Sequence, residues 1–205
     1  MSPITFKHLA TGIGTTLVLA AAAPAAAQTD RSGFEIGVQV PSARSSEFDT
    51  TDVGVGARIA WRADWLGVEA EFNGYPGDFP GRPAFSSSRT EGLFGATVGP
   101  HIGRVRPFAK LRPGFMTFQE APEPFGCIAI FPPPLSCTLA AGRTVFVLDA
   151  GGGIEISATP GTFLRVDAGD LLVKYPGPTT DRDFDRRESF FSHDFRFAAG
   201  VGFRF

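Results

Sequence analysis

From about residue 33 to the last residue the chain alternates apolar and polar side chains with a period of two. Successive side chains of a β-strand point to opposite faces, so this pattern predicts strands with one apolar and one polar face. The last stretch is the clearest. His193, Phe195, Phe197, Ala199, Val201, Phe203 and Phe205 share one parity, and Asp194, Arg196, Ala198, Gly200, Gly202 and Arg204 share the other. Seven earlier segments repeat the alternation. The first, near Gly33–Val40, sets Phe34, Ile36, Val38 and Val40 against Glu35, Gly37 and Gln39. Asp52–Arg62 sets Val53, Val55, Ala57, Ile59 and Trp61 against Gly54, Gly56, Arg58, Ala60 and Arg62. Next, Leu66, Val68, Ala70 and Phe72 oppose Gly67, Glu69, Glu71 and Asn73. A weaker fourth segment sets Phe94, Ala96 and Val98 against Glu91, Leu93, Gly95 and Thr97. Ala109, Leu111 and Phe115 oppose Phe108, Lys110, Arg112 and Gly114. Phe146, Leu148, Ala150 and Ile154 oppose Val147, Asp149, Gly151, Gly153 and Glu155. Leu164, Val166 and Ala168 oppose Arg165, Asp167 and Gly169.

Two positions break the pattern. Pro113 lies on an apolar face inside a strand, where its missing N–H removes a ladder bond. Asp170 has apolar parity. A bulge at Gly169-Asp170 is expected to turn Asp170 inward and Leu171, Val173 and Tyr175 outward.

The connections alternate in length. Arg62-Ala63-Asp64, the turn near Pro100–Arg104 and Ala158–Gly161 are short; segments near 41–51, 74–88, 119–142 and 176–191 are long and rich in Ser, Pro, Asp and Arg. Each strand is near the 9–11 residues that cross a bilayer at a tilt. Short turns on one rim and long loops on the other fit a closed transmembrane barrel with both termini on the short-turn side. Trp61, Trp65, Phe203 and Phe205 then fall at the short-turn interface, where aromatic girdles sit.

Residues 1–27 read as a cleaved signal peptide. Lys7 supplies a positive start, Leu9 to Ala23 is mostly apolar but broken by Gly12 and Gly14, and Ala25-Ala26-Ala27 is a small-residue cleavage site before Gln28. Residues 28–205 then form one domain. A formal net charge of −2 gives no basic footprint for nucleic acid.

Alternation alone does not say which face is outside, because a soluble ligand-binding barrel has the same period. The export signal, the loop asymmetry, an apolar face rich in the chain's 21 Phe and the aromatic ending favour lipid outside. Taken together, residues 28–205 resemble the small eight-stranded OmpA/OmpX-type barrels, the family of outer-membrane β-barrel domains. The resemblance implies an all-β, antiparallel, up-and-down barrel in a bacterial outer membrane. It also implies that Phe203 and Phe205 belong to the signal read by the barrel assembly machinery.

The polar face carries Arg58, Arg62, Lys110, Arg112, Arg165, Arg196 and Arg204 against Glu35, Glu69, Glu71, Glu91, Asp149, Glu155 and Asp167, seven of each sign. An eight-stranded barrel has room inside for side chains but hardly for a channel. Buried charges must pair, and a balanced set is expected to plug the lumen; a narrow pore is the alternative. Cys127 and Cys137, both in the 119–142 loop, read as a disulfide in an oxidising compartment. The apolar stretch between them either meets a partner or the outer leaflet, or folds onto the rim. His193, near Ser189, Ser192 and Asp194, is the one residue that suggests lipid-modifying chemistry, but Phe195 stands where related deacylases carry their serine. No cofactor or metal is expected. The partners expected are outer-membrane lipid, the assembly machinery and an extracellular molecule at loops 119–142 and 176–191. A non-enzymatic structural or surface-interaction role is the reading adopted; a lipid-modifying enzyme and a soluble lipid-binding barrel rank below the pore.

Overall fold

The computed structural model describes residues 33–79, 87–120, 131–179 and 188–205. The segment read as a signal peptide, and Cys127 with the rest of residues 121–130 in the 119–142 loop, lie outside these residues. The described chain forms β1 (Gly33–Ser45), β2 (Thr50–Val53), β3 (Val55–Ala63), β4 (Leu66–Phe79), β5 (Ser87–Val98), β6 (Val105–Phe118), a short helix α1 (Leu135–Ala140), β7 (Thr144–Thr159), β8 (Thr162–Tyr175) and β9 (Phe190–Arg204). From β3 on, each strand pairs antiparallel with the next; β1 pairs with β2, β3 and β9, the last from Glu35 opposite Arg204 to Arg44 opposite Phe195. The sheet therefore closes on itself and leaves no edge.

The nine segments make eight wall strands, because β2 and β3 are one strand interrupted at Gly54. Both keep a single register against β1, with Ser42 opposite Val53 and Gln39 opposite Gly56. The break faces Pro41, which has no N–H to donate; the Gly54 N–H still donates to the Pro41 carbonyl at 2.8 Å. Pro113 acts the same way. The β5–β6 ladder lapses between Leu93–Gly114 and Ala96–Leu111, while the β6–β7 ladder runs through Pro113 opposite Leu148 without a gap. Each proline thus costs ladder bonds on one flank of its strand.

Short turns close one rim. Asp64 takes φ 51° between β3 and β4, and Gly103 takes φ 64° between β5 and β6. The first long connection is shorter than expected, since β1 and β2 carry the wall to Ser45 and Thr50 and leave only residues 46–49 as the turn.

The expected bulge at Gly169-Asp170 does not form. Registers of β8 with β7 and β9 run unbroken through this point, with Gly169 opposite Gly151 and Asp170 opposite Ala150. Unbroken alternation points Asp170 outward and sends Leu171, Val173 and Tyr175 into the interior, where all three are fully buried. They are needed inside. With Leu93, Met116, Phe118, Val145 and Val147 they form an apolar cluster in the long-loop half of the barrel, and Leu135 and Leu139 of α1 pack into it.

Helix α1 follows three prolines and opens with the Thr138 N–H to Pro134 carbonyl bond, 3.1 Å. It ends where Gly142 takes φ 78° and donates to the Leu139 carbonyl at 3.0 Å. Six residues are too few for a helix to persist by itself; buried Leu135, Cys137, Leu139 and Ala140 hold it in the mouth of the barrel. Outside, every wall strand presents apolar side chains, among them Phe34, Ile59, Phe72, Phe94, Leu111, Phe146, Leu164 and Phe195. We expect Leu139→Ala to weaken the seating of α1 by about 2–4 kcal/mol. Added protease should then cut residues 131–143 of the folded, membrane-embedded protein faster than in the wild type. An unchanged cleavage rate would show that this contact does not hold the helix.

Candidate functional site

Among the described residues the interior is where polar groups gather, and period-two geometry puts them there. The inward residues of β3 and β4 (Arg58, Arg62, Glu69, Glu71), of β6 and β7 (Lys110, Arg112, Asp149, Glu155) and of β8, β9 and β1 (Arg165, Asp167, Arg196, Glu35) are all buried. Glu91 of β5 is buried with them, and Arg204 is partly exposed at the short-turn rim. Four more charged residues share this space. Arg89 and Arg106 lie at the starts of their strands beyond the clear alternation, Asp194 precedes the last aromatic run, and Asp52 lies near the start of the second wall strand. Asp52 and Asp194 already lie on the polar parity of their strands, and extending β5 and β6 by one alternate position would have found Arg89 and Arg106. Among the described residues the interior then carries nine cations and nine anions.

The charges lie in tiers. Nearest the short turns, Arg62 bridges Glu35 at 2.7 Å and Glu155 at 2.6 Å. Arg204 reaches Glu35 at 2.6 Å, and Arg106 reaches Glu155 at 3.4 Å. Above them the Arg165 guanidinium grips both Glu69 oxygens, at 2.8 and 2.9 Å, and its Nε donates to Asp167 at 3.0 Å. Its central carbon lies 4.2 Å from the Phe108 ring centre. Arg58 is held more loosely, 3.5 Å from Glu69 and 3.8 Å from Glu35.

Arg112 is the hub of the next tier. Its Nη1 donates to Glu69 at 2.8 Å and Glu71 at 2.6 Å, and its Nε donates to Asp149 at 2.9 Å. Lys110 sits between Asp149, 3.0 Å away, and Asp167. Arg196 pairs with Glu71 and lies 3.3 Å from Glu91. The Asn73 amide ties these two carboxylates together at 2.7 and 2.8 Å and accepts from Gln39 at 2.9 Å. Highest of all, Arg89 pairs with Asp52 at 3.1 Å and lies 4.7 Å from the Tyr75 ring centre, where the apolar cluster begins.

Inward glycines let neighbouring strands and rings approach closely. A Cβ on Gly151 would stand 2.2 Å from the Ala168 carbonyl oxygen, and one on Gly153 would stand 2.7 Å from the Phe108 ring. A small void, of about 10 Å³, borders Gln39, Arg58, Arg165 and Asp167. That is close to the least space that holds one water.

Chemically, the arrangement neutralises charge. The carboxylates of the central tiers are each held by a guanidinium, an ammonium or an amide. No group of three or more His, Cys, Asp or Glu is placed to hold a metal among the described residues. Ser192 and His193 are separated by the strand itself: Ser192 is buried inside, and His193 is exposed on the outer wall with its Nδ1 2.7 Å from Asp170. Cys137 lies buried in α1 and is not a free thiol. At the chain end the Phe205 N–H donates to the Phe34 carbonyl at 2.9 Å, while its ring is exposed.

A closed eight-stranded antiparallel barrel, apolar outside and polar within, is the architecture of a transmembrane β-barrel. The chain belongs to the outer membrane protein β-barrel domain family, whose model matches residues 13–205. Among solved structures it is similar to Neisserial surface protein A, with a TM-score of 0.55 and 16% identity over 84% of this chain and 97% of that one. It is also similar to the outer membrane protein OprG from Pseudomonas aeruginosa, with a TM-score of 0.51 and 12% identity over 86% and 97%. At such identities the likeness is one of fold. No curated protein matches the sequence.

The hub can be tested against the loose pair and the surface. Arg112→Ala leaves Glu69, Glu71 and Asp149 without their shared partner and should cost about 3–5 kcal/mol. Arg58→Ala should cost less, because its contacts are long. Arg44→Ala breaks only an exposed pair with Asp49 and should stay within about 0.5 kcal/mol. Urea unfolding of the three variants in lipid vesicles checks the order; equal losses would remove the hub.

Proposed function

We propose that this protein is a non-enzymatic outer-membrane scaffold with a plugged lumen, which anchors its long loops at the cell surface and conducts no solute. The observation that carries the reading is the hub at Arg112, where one guanidinium meets three carboxylates in the middle of the barrel. A path for ions through this tier would have to break buried pairs, each costing several kcal/mol to open unreplaced. The apolar cluster and α1 support the same reading, since they fill the half of the barrel that the charges leave. Export through residues 1–27, assembly guided by Phe203 and Phe205, and a Cys127–Cys137 bond that ties the 119–142 loop belong to this proposal. So do partner contacts through the loops at 119–142 and 176–191.

The experiment is planar-bilayer recording on the refolded protein. The scaffold reading expects no steady channels in the wild type, and brief openings at most after Arg112→Ala. Stable wild-type channels would favour a narrow pore and end this reading.

A further inference from the structure

Part of the outer wall is foreign to an apolar belt. On β8 and β9 the outward parity carries Asp170, Lys174 and His193 among Leu172, Phe191 and Phe195. The side chains of His193 and Asp170 are 69% and 44% exposed, and Lys174 is exposed between inward Val173 and Tyr175. Register fixes their order. Lys174 faces Phe191, Leu172 faces His193 and Asp170 faces Phe195. His193 is therefore the diagonal neighbour of Lys174 on its long-loop side and of Asp170 on its short-turn side, each about 7 Å away between backbones.

We propose that Lys174 and His193 form a binding site for the phosphate group of a lipid in the leaflet at the long-loop end. Depth is the first argument. Phe203, at the short-turn girdle, lies about ten residues along β9 from His193; at about 2.4 Å of height per tilted residue this spans the roughly 25 Å apolar band. His193 thus sits at the outer border of the band and Lys174 just beyond it, at headgroup level. Charge is the second. Asp170 accepts from His193 Nδ1 at 2.7 Å, which spends the carboxylate and fixes the ring. Nε2 makes no hydrogen bond among the described residues. Lys174 forms no ion pair among them either; its ammonium lies 5.9 Å from the centre of the Phe191 ring, which steadies it without neutralising it. Two donors one diagonal apart, one on a flexible stem, suit a group with three acceptor oxygens, and such charge-assisted bonds are the strong ones. Asp170 holds Nδ1, which leaves Nε2 as the ring's contact to the phosphate. Asp170 is a positioning residue. The flanking Phe191, Leu172 and Phe195 offer acyl chains an apolar wall, so a lipid gains more here than a free anion.

The inference rests on the barrel being embedded in a membrane, and the test reports that separately through the heat-resistant gel mobility of the folded form. The refolded full chain is placed in phosphatidylcholine nanodiscs with a bis-phosphorylated glucosamine lipid or its dephosphorylated form, and bound lipid is counted by native mass spectrometry. The phosphorylated lipid should be retained about tenfold more strongly. Lys174→Gln with His193→Phe should abolish that preference, Lys174→Arg should keep it, and Asp170→Asn should reduce it in part, all with folding intact. Equal retention of the two lipids, or by wild type and the double variant, overturns the proposal. Displacement of the lipid by millimolar inorganic phosphate would also overturn it, by making the site one for a free anion. Loss of heat resistance in the wild type itself would instead count against the membrane barrel, and the lipid site would fall with it.

Discussion

Closing eight strands into a barrel forces half of every strand's side chains into a narrow interior, and in this chain many of those side chains are charged. Each such group loses its water, at a cost of several kcal/mol after relaxation, unless a partner replaces the solvent. That requirement organises the structure. It explains the equal numbers of inward cations and anions among the described residues. It explains why arginine outnumbers lysine there, since the planar fork reaches two carboxylates at once, as Arg62 and Arg112 do.

The other half of the interior is largely apolar, and its buried Asp194 accepts from the Ser46 backbone N–H and the Ser192 hydroxyl. Leu93, Met116, Phe118, Val147, Leu171 and Val173 fill the long-loop end, and α1 brings Leu135 and Leu139 down onto them. Arg89, between Asp52 and the Tyr75 ring, stands at the boundary. A charged base and an apolar cap together resemble the core of a soluble domain turned to a different use: the wall faces lipid, and the core supports the loops.

Alternation shows which residues share a face because a period of two needs no tertiary information, and it places Arg58, Glu69, Arg112, Asp149 and Arg165 on the side that proves to be the interior. Strand ends are less legible. Beyond Val40 and Gly169 inward positions change from charged to small or apolar residues, so the hydrophobic parity inverts without any bulge. Read locally, Leu171, Val173 and Tyr175 have the pattern of lipid-facing residues; they are the wall of the apolar cap. That cap depends on α1, a helix from a distant loop, and no local pattern announces it. Arg89 and Arg106 escape the pattern for a related reason, as Arg89 follows a serine run and Arg106 precedes Pro107, so that both strand ends resemble loops. Partner identity within the tiers is not legible either, since which arginine reaches which carboxylate depends on barrel shear and not on sequence spacing.

The central claim is that water does not fill the interior at the level of the charge tiers. Ala198, inward on β9 and 1% exposed, lies two residues from Arg196 on the same face, and its neighbour Ala199 has the opposite parity. The direct test is Ala198→Cys in the refolded barrel, challenged with a small, charged, thiol-reactive reagent from both sides of the vesicle. A packed interior predicts that the introduced thiol stays unmodified until the protein is unfolded in urea. Rapid modification of that thiol in the folded barrel would mean an open aqueous lumen and would contradict the account.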